Sequence, residues 1–559
     1  MTPILTHGRI SVGNRILALA RPLLAALLLG VALVLLWQAT AQAALLLSYP
    51  YPTDTLEGTL LHEARLLRAG EPLYQPLELY RFVSAPYPPL HPILLAQVDR
   101  LVGPHIFWSG RLISLGAALV VGLLTLLLVR VLSGSWSAAA LATTILLSAP
   151  PFYLWATRIK PDLLALMWTT LGLTLATWAR IGTTSALPPS PPAPLPPGER
   201  GVRAALPPSP PAPLPPGERG VRAAGSTKST LRLVAAALCF GLAFLTKQTA
   251  VAAPLATGVA LLIDDLLAWY RFRHLSSQTL IFAVTYLALA LGTWALLDLV
   301  YSGQYTVHVW WSGNRVRWWS LGLLLKVTGL LLPYWPLLLL GAVAAIIGLG
   351  QRTSRTLACY ALVAPLTLSA TGEIGANHNH LLETLLASSL CAGTLVGWQI
   401  TRQMPDAGDS ASRARLLGRY VVLTALLTAQ VWLIFHPPAW YGSELDPALR
   451  DNPERFVTFM RATPGEILAD DPGLLLMAGK PIRYDDASTM GSAATIGTWD
   501  QRGMLDDIAN HRFSAIMIPV DVRKDTIDPS GRWSPEMIAA ITHAYKRLYK
   551  DQIVTYVPR

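Results

Sequence analysis

Leu45-Leu46-Leu47-Ser48-Tyr49-Pro50-Tyr51-Pro52-Thr53-Asp54-Thr55-Leu56-Glu57-Gly58 is where the first membrane-length apolar run of the chain ends and its first acidic pair begins. The run, from about Pro22 to Leu47, exceeds the roughly 20 residues that cross a bilayer. Inside lipid a backbone must satisfy its own hydrogen bonds, so the run predicts a helix. Asp54 and Glu57 then stand at a membrane surface, where a carboxylate can meet a lipid-borne and a water-borne substrate together. Arg9, Arg15, Arg21 and the tripeptide Ala41-Gln42-Ala43 give the segment a secretory look. The run is longer than the about 7–15 residues of a signal core, which predicts a retained signal-anchor helix.

The same kind of block recurs along all 559 residues, of which 52% are hydrophobic and only 14% charged. The blocks predict about eleven spans, near 22–47, 106–132, 138–157, 162–180, 231–246, 249–267, 279–301, 321–349, 356–372, 380–400 and 418–436. The net charge of +11, from 44 Lys+Arg against 33 Asp+Glu, does not read as a nucleic-acid surface. Much of it lies in short loops on alternate sides, among them Arg200, Arg203, Arg271, Arg273, Arg352, Arg355, Arg402, Arg415 and Arg419, which the positive-inside rule makes cytoplasmic. Residues 48–105, 158–161, 302–320, 373–379 and everything after 437 then face the outside. Cys239, Cys359 and Cys391 all fall in predicted spans and offer no disulfide framework or metal spacing.

One cytoplasmic loop, 181–230, contains a 19-residue Pro-rich segment at 186–204 repeated without change at 205–223. Such proline density favours extended, solvated chain, so the insert is expected to be disordered and without function of its own. The membrane domain is thus 1–436. Beyond it, 437–559 is polar, with short apolar runs at 466–469 and 514–519 and a helical pattern at 533–548. These predict a small α/β domain outside the cytoplasm, leaning on the membrane domain or its loops.

Ionisable groups at membrane depth are costly and mark sites or pathways. Besides Asp54 and Glu57 they form clusters on the predicted outer side: Arg158, Lys160 and Asp162; Lys247; and His378, Asn379, His380 and Glu383. Arg315 and Arg317 lie in a Trp-rich loop whose Trp310, Trp311, Trp318 and Trp319 also suit an aromatic belt. Residues 60–74 of the first outer loop alternate as an amphipathic helix expected to lie along the interface. His378 and His380, one residue apart, point to different helical faces, which disfavours a metal site.

The order Asp54-x-x-Glu57, Gly70-x-Pro72-Leu73-Tyr74, Tyr87-Pro88-Pro89-Leu90, Gly110-Arg111-Leu112-Ile113-Ser114, Lys160-Pro161-Asp162, Thr246-Lys247-Gln248 and Asn379-His380-Leu381-Leu382-Glu383 resembles the GT-C glycosyltransferases. Within them it is most similar to bacterial relatives of the dolichyl-phosphate-mannose protein mannosyltransferases and of the aminoarabinose lipid A transferases. The resemblance implies a membrane all-α fold and an inverting hexosyl- or pentosyltransferase at the cell membrane. Its donor would be a polyprenyl-phosphate-linked sugar and its acceptor an envelope glycan, lipid or protein. The acidic dipeptide of many relatives is replaced by Asp54-Thr55, so the working carboxylate is Asp54 or Glu57. Asp162 would orient a cation or bind the acceptor. Arg158, Lys160 and Lys247, with Arg315 and Arg317 as second choices, would hold the lipid phosphate, and His378, Asn379, His380 and Glu383 the sugar. No cofactor is fixed by the residues; a divalent metal stays open. The competing reading is a transporter or flippase of a lipid-linked sugar, for which internal repeats and mid-membrane broken helices are expected and not seen.

Overall fold

Proline decides which apolar blocks stay single helices. The computed structural model describes residues 12–102, 106–181, 216–273, 277–312, 319–373, 376–402, 410–438 and 453–559. The chain runs through α1 (Val12–Ser48), α2 (Thr55–Arg68), α3 (Leu90–Val98), α4 (Trp108–Ser133), α5 (Trp136–Leu147), α6 (Pro150–Ala156), α7 (Asp162–Ile181) and α8 (Pro216–Thr246). It continues through α9 (Ala252–Phe272), α10 (Gln278–Val300), the one-turn α11 (Gln304–Thr306), α12 (Leu321–Thr328), α13 (Trp335–Leu349), α14 (Arg355–Val363), α15 (Leu382–Thr401) and α16 (Ser410–Phe435). Among the described residues, nine helical stretches are long and apolar enough to cross a membrane, or ten if one bent pair counts as a span. The protein is a multi-pass membrane protein.

The two departures from eleven have backbone causes. The block 138–157 is the bent pair: Pro150 and Pro151 cannot supply the N–H groups that would continue α5, and α6 leaves it at 70°. The block 356–372 is α14 followed by 3-10 turns over Ala364–Gly372, with Pro365 in the first turn, so no continuous α-helix spans it. Small residues let the remaining helices approach: a Cβ on Gly393 of α15 would stand 2.4 Å from that of Ala142 on α5. α8 begins at Pro216, inside the second copy of the Pro-rich repeat, while residues 186–215 lie outside the described residues.

The C-terminal domain is a four-stranded sheet in the order β1-β2-β4-β3, from β1 (Glu466–Ala469), β2 (Phe513–Ile518), β3 (Tyr545–Lys550) and β4 (Val554–Pro558). β1 and β2 are parallel, and the other pairs antiparallel. The alternation of a strand fills both faces. Leu468, Ile516 and Ile518 pack with Met504, Ile508, Met537 and Ile541 on one side. Ile467, Ala515 and Met517 pack with Val457, Met460 and Leu475 on the other. The helical pattern at 533–548 is shorter than expected: Ser534 caps a helix over Pro535–Ala544, and Tyr545 onward is claimed by pairing with β4.

This domain docks on the first loop. Phe82, fully buried, enters its core and forms an isolated β-bridge with the 483–485 segment (Phe82 N to Arg483 O, 2.9 Å; Asp485 N to Phe82 O, 3.0 Å). α2, the amphipathic helix of the first loop, is covered on both sides, with Glu57 and Glu63 of its polar face buried as well. Leu60, Leu61 and Ala64 pack on Leu95, Phe107 and Ile159, and Gly58 faces the outer domain so closely that a Cβ there would come within 2.0 Å of Gly473 N.

Candidate active site

Asp54 is the N-cap of α2, its Oδ1 accepting from Leu56 N at 2.9 Å. Asp is favoured there because it satisfies an N–H the helix leaves free. The same oxygen lies 2.8 Å from Lys160 Nζ, in the short link between α6 and α7. Burial alone would raise the Asp54 carboxyl, but the charges of Lys160 and Arg158 hold it well below the usual carboxylate range. Asp54 is therefore an anion at neutral pH.

Glu57, one turn on, serves a different purpose. Its carboxylate is completely buried and takes five donors: Thr53 N and Oγ1 (2.6 and 3.0 Å), Arg111 Nε and Nη2 (3.0 and 2.9 Å) and Ile159 N (2.9 Å). Arg111 also donates to Tyr49 O and Tyr51 O at 2.6 and 2.7 Å. One ion pair thus ties together the exit of α1, the start of α2, α4 and the 158–160 link.

A second pair forms where three helix ends converge. Asp162 opens α7, Lys247 follows the end of α8, and Asn379 lies in the 3-10 turn His378–Leu381 before α15. Lys247 Nζ donates to Asp162 Oδ1, and Asn379 Nδ2 donates to the same oxygen at 2.9 Å. Gln248 Nε2 reaches the carbonyls of Pro86 and Val309, both at 3.2 Å, and so fixes the break between α8 and α9.

Both pairs line one cavity of about 300 Å³. Asp54, Lys160, Asp162, Lys247, Asn379 and His380 are brought together in its wall. Other expected residues are not. Glu57 lies behind the wall; Arg158 is buried with its guanidinium 4.8 Å from the Trp155 ring centre; His378 stands edge-on to the same ring at 5.7 Å. Glu383, in the first turn of α15, accepts from Tyr360 Oη at 3.4 Å. Arg315 and Arg317 lie outside the described residues. Among the described residues no group of three or more His, Cys, Asp and Glu could hold a metal ion.

The C-terminal domain supplies the residues that sequence reading missed. Asp486, Ser488, Thr489, Ser530 and Arg532 complete the lining. Arg532 is set by a turn in which Asp528 accepts from Ser530 N, Arg532 N and Trp533 N at 2.9, 3.0 and 3.1 Å. Its Nη1 donates to Asp470 Oδ2 at 2.8 Å. No local signal marks it, because the membrane-domain residues it joins in the cavity wall lie at least 150 residues earlier in the chain, His380 being the nearest. Tyr87 and Gln248 also line the cavity; both sit in motifs already singled out, without a role assigned.

No family model matches the sequence, and no curated protein does. Solved structures do match in three dimensions. ArnT from Cupriavidus metallidurans in the apo state has a TM-score of 0.54 at 14% identity, over 94% of this chain and 97% of that one. The same protein bound to undecaprenyl phosphate gives 0.51 at 15%, over 95% and 97%. The Archaeoglobus fulgidus oligosaccharyltransferase in the apo form gives 0.51 at 11%, over 93% and 73%. The chain shares this fold, of the GT-C type. The likeness covers 93–95% of this chain.

Proposed function

We propose that the protein is an inverting glycosyltransferase that moves a sugar from a polyprenyl-phosphate carrier to an acceptor on the outer side of the cytoplasmic membrane. The observation that carries this is the pairing of Asp54–Lys160 and Asp162–Lys247 around one cavity at the ends of membrane helices. ArnT of the same fold, bound to undecaprenyl phosphate, supports a polyprenyl-phosphate donor.

In the proposed reaction the acceptor hydroxyl attacks the anomeric carbon as the bond from that carbon to the carrier phosphate breaks. The electron pair stays on the phosphate, and the acceptor's proton goes to Asp54. One displacement inverts the anomeric centre, and a phosphate leaving group needs no strong general acid. Lys247, oriented by Asp162 and Asn379, and Arg532 from the outer domain hold the phosphate and take up its developing charge. Lys160 and Arg158 keep Asp54 ionised before the donor binds. An arriving phosphate gives Lys160 a second anion to face, which weakens its hold on Asp54 and raises that carboxylate's basicity as the donor binds. Asn379 and His380 contact the sugar. Arg158 contributes field from behind the wall, and Glu57 positions the loop.

The flippase reading draws less support, since a translocation path would need charged groups through the bilayer depth, whereas the ion pairs of α7 stand at its two ends, Asp162 with Lys247 and Arg180 with Asp264. The test is direct. Purified protein in vesicles receives polyprenyl-phosphate sugars of several kinds with an envelope extract as acceptor. Release of free polyprenyl phosphate with an inverted glycoside is expected; movement of intact donor across the bilayer without release would overturn the proposal.

A further inference from the structure

After α11 the chain makes a π-helical turn over Val307–Ser312. His308 of that turn, 1% exposed, reaches across to the first loop. Its Nδ1 accepts from Ala85 N at 3.2 Å, and its Nε2 lies 2.7 Å from Gln75 O. A backbone N–H can only donate and a carbonyl can only accept, so Nδ1 is bare and Nε2 carries the hydrogen. The two contacts hold the imidazole neutral and in a single tautomer.

The next residue on each segment is fastened by a second side chain. Pro86 O and Val309 O both accept from Gln248 Nε2 at 3.2 Å. His308 on one side and Gln248 on the other therefore close a ring through two successive pairs of residues, Ala85–Pro86 and His308–Val309. Pro86 and Gln248 line the candidate active-site cavity, and so do their chain neighbours Tyr87 and Lys247. Tyr74 adds a third fastening, its Oη donating to Tyr87 O at 2.9 Å. Its ring stands edge-on to Tyr301 and Tyr305, both at 5.0 Å, and 6.0 Å from the His308 ring. The Gly70–Tyr74 and Tyr87–Leu90 motifs thus meet beside one imidazole.

We propose that neutral His308 is a positioning residue for transfer: it sets the Pro86–Tyr87 wall and, through Gln248, the place of Lys247, and a proton on its Nδ1 undoes that setting. The proposal rests on the transferase reading above. A protonated Nδ1 would point its hydrogen at the Ala85 N–H, two donors with no acceptor between them, and that hydrogen bond must break. Burial holds the ring below the ordinary histidine range, and the bond to Gln75 O offsets this only in part. The titratable and charged groups on the elements around the ring are Tyr74 of the first loop, Tyr305 of α11, and Asp298 of α10, which accepts from Thr306 N at 3.0 Å. Lys247 stands beside Gln248, and Asp486 caps the helix Ala487–Ile496 that packs on this turn. A second ring proton would meet neither carboxylate, because Nδ1 faces a backbone donor.

The test is the pH profile of transfer by the full chain in vesicles, from about pH 8 to about pH 4.5, with the donors and envelope extract named above. The fold is followed at each pH by thermal unfolding. The unaltered protein should lose transfer about tenfold per pH unit on the acid side of one titration and regain it on return to neutral pH. His308→Asn, whose amide oxygen can accept from Ala85 N and does not titrate, should transfer about tenfold more slowly at neutral pH and lack that acid limb. His308→Gln, which keeps only the donation to Gln75 O, takes its place if the Asn variant does not fold. The same acid limb in variant and unaltered protein, or no acid limb in the unaltered protein, would overturn the proposal while leaving the transferase reading standing. Absence of transfer at every pH would instead remove that reading, and this proposal with it.

Discussion

Glu57 and Arg111 meet through two parallel hydrogen bonds of 3.0 and 2.9 Å, with neither side chain more than 1% exposed. The pair sits directly behind Asp54, and it separates the two carboxylates that the sequence offered as alternatives. Glu57 has its oxygens spent on five donors, whereas Asp54 faces the cavity with Lys160 beside it.

The two should fail differently when altered. Asp54→Asn should keep fold and donor binding but lower transfer about 10²–10⁴-fold, the usual share of a general base. Glu57→Gln should instead leave Arg111 buried and unpaired, costing about 3–5 kcal/mol and lowering the unfolding midpoint. Transfer assays beside thermal unfolding would distinguish them. A stable but inactive Glu57→Gln with an active Asp54→Asn would move the base three residues along.

Lys247→Met and Arg532→Met should weaken donor binding as well as turnover, because the phosphate is charged in ground and transition states alike. Donor titration of each variant against Asp54→Asn is the measurement. Unchanged donor affinity in both would remove them from the phosphate site.

Gly58→Val should loosen the outer domain. Its side chain would run into the backbone at Pro472 and Gly473, an overpacking cost of about 1–3 kcal/mol. Limited proteolysis should release a fragment near 453–559 sooner than in the unaltered protein, with transfer falling as Arg532 leaves the cavity. Unaltered proteolysis would show that the contact yields without cost.

Stability should depend on pH through Glu63 and Asp485. Burial, then the charges of Asp485 and Asp486, raise the Glu63 carboxyl well above its ordinary value. Burial likewise raises Asp485, against the hydrogen bond from Ser84 N and with the charge of Asp486. A raised carboxyl binds its proton more tightly folded than unfolded, so stability is greatest below the unfolded pKa, about 4, and declines as pH rises toward the folded one. Asp54 and Glu57, both lowered, act oppositely and lose their contribution only in acid. Unfolding midpoints should therefore fall as pH rises above about 4, and less steeply in Glu63→Gln. Parallel pH profiles would contradict the assignment.

Sidedness follows from loop charge. Cysteine placed at Asp500, in the outer domain, should react with an impermeant thiol reagent on intact cells, while cysteine at Ala205 should not. Labelling at 205 from outside would reverse the assignment of sides.

Much of this protein was legible in one dimension. Hydropathy alone located the spans, because a backbone in lipid has no partner but itself and apolar length is then sufficient. Charge among long apolar blocks likewise exposed Asp54, Lys160, Asp162, Lys247 and Asn379, since a group so costly to bury stands out wherever it occurs. What remained hidden depended on partners far apart in the chain. The 70° bend at Pro150 and the 3-10 turns from Ala364 interrupt two of the expected spans. The enclosure of α2 followed from the outer domain docking on Gly58 and Phe82, which no periodicity within α2 encodes. Which carboxylate faces the cavity was decided by Arg111, 54 residues from Glu57, and the closing cation came from Arg532 in another domain. Sequence determined which groups needed partners; the tertiary structure decided which partners they met, because pairing depends on distance in space and not on spacing along the chain.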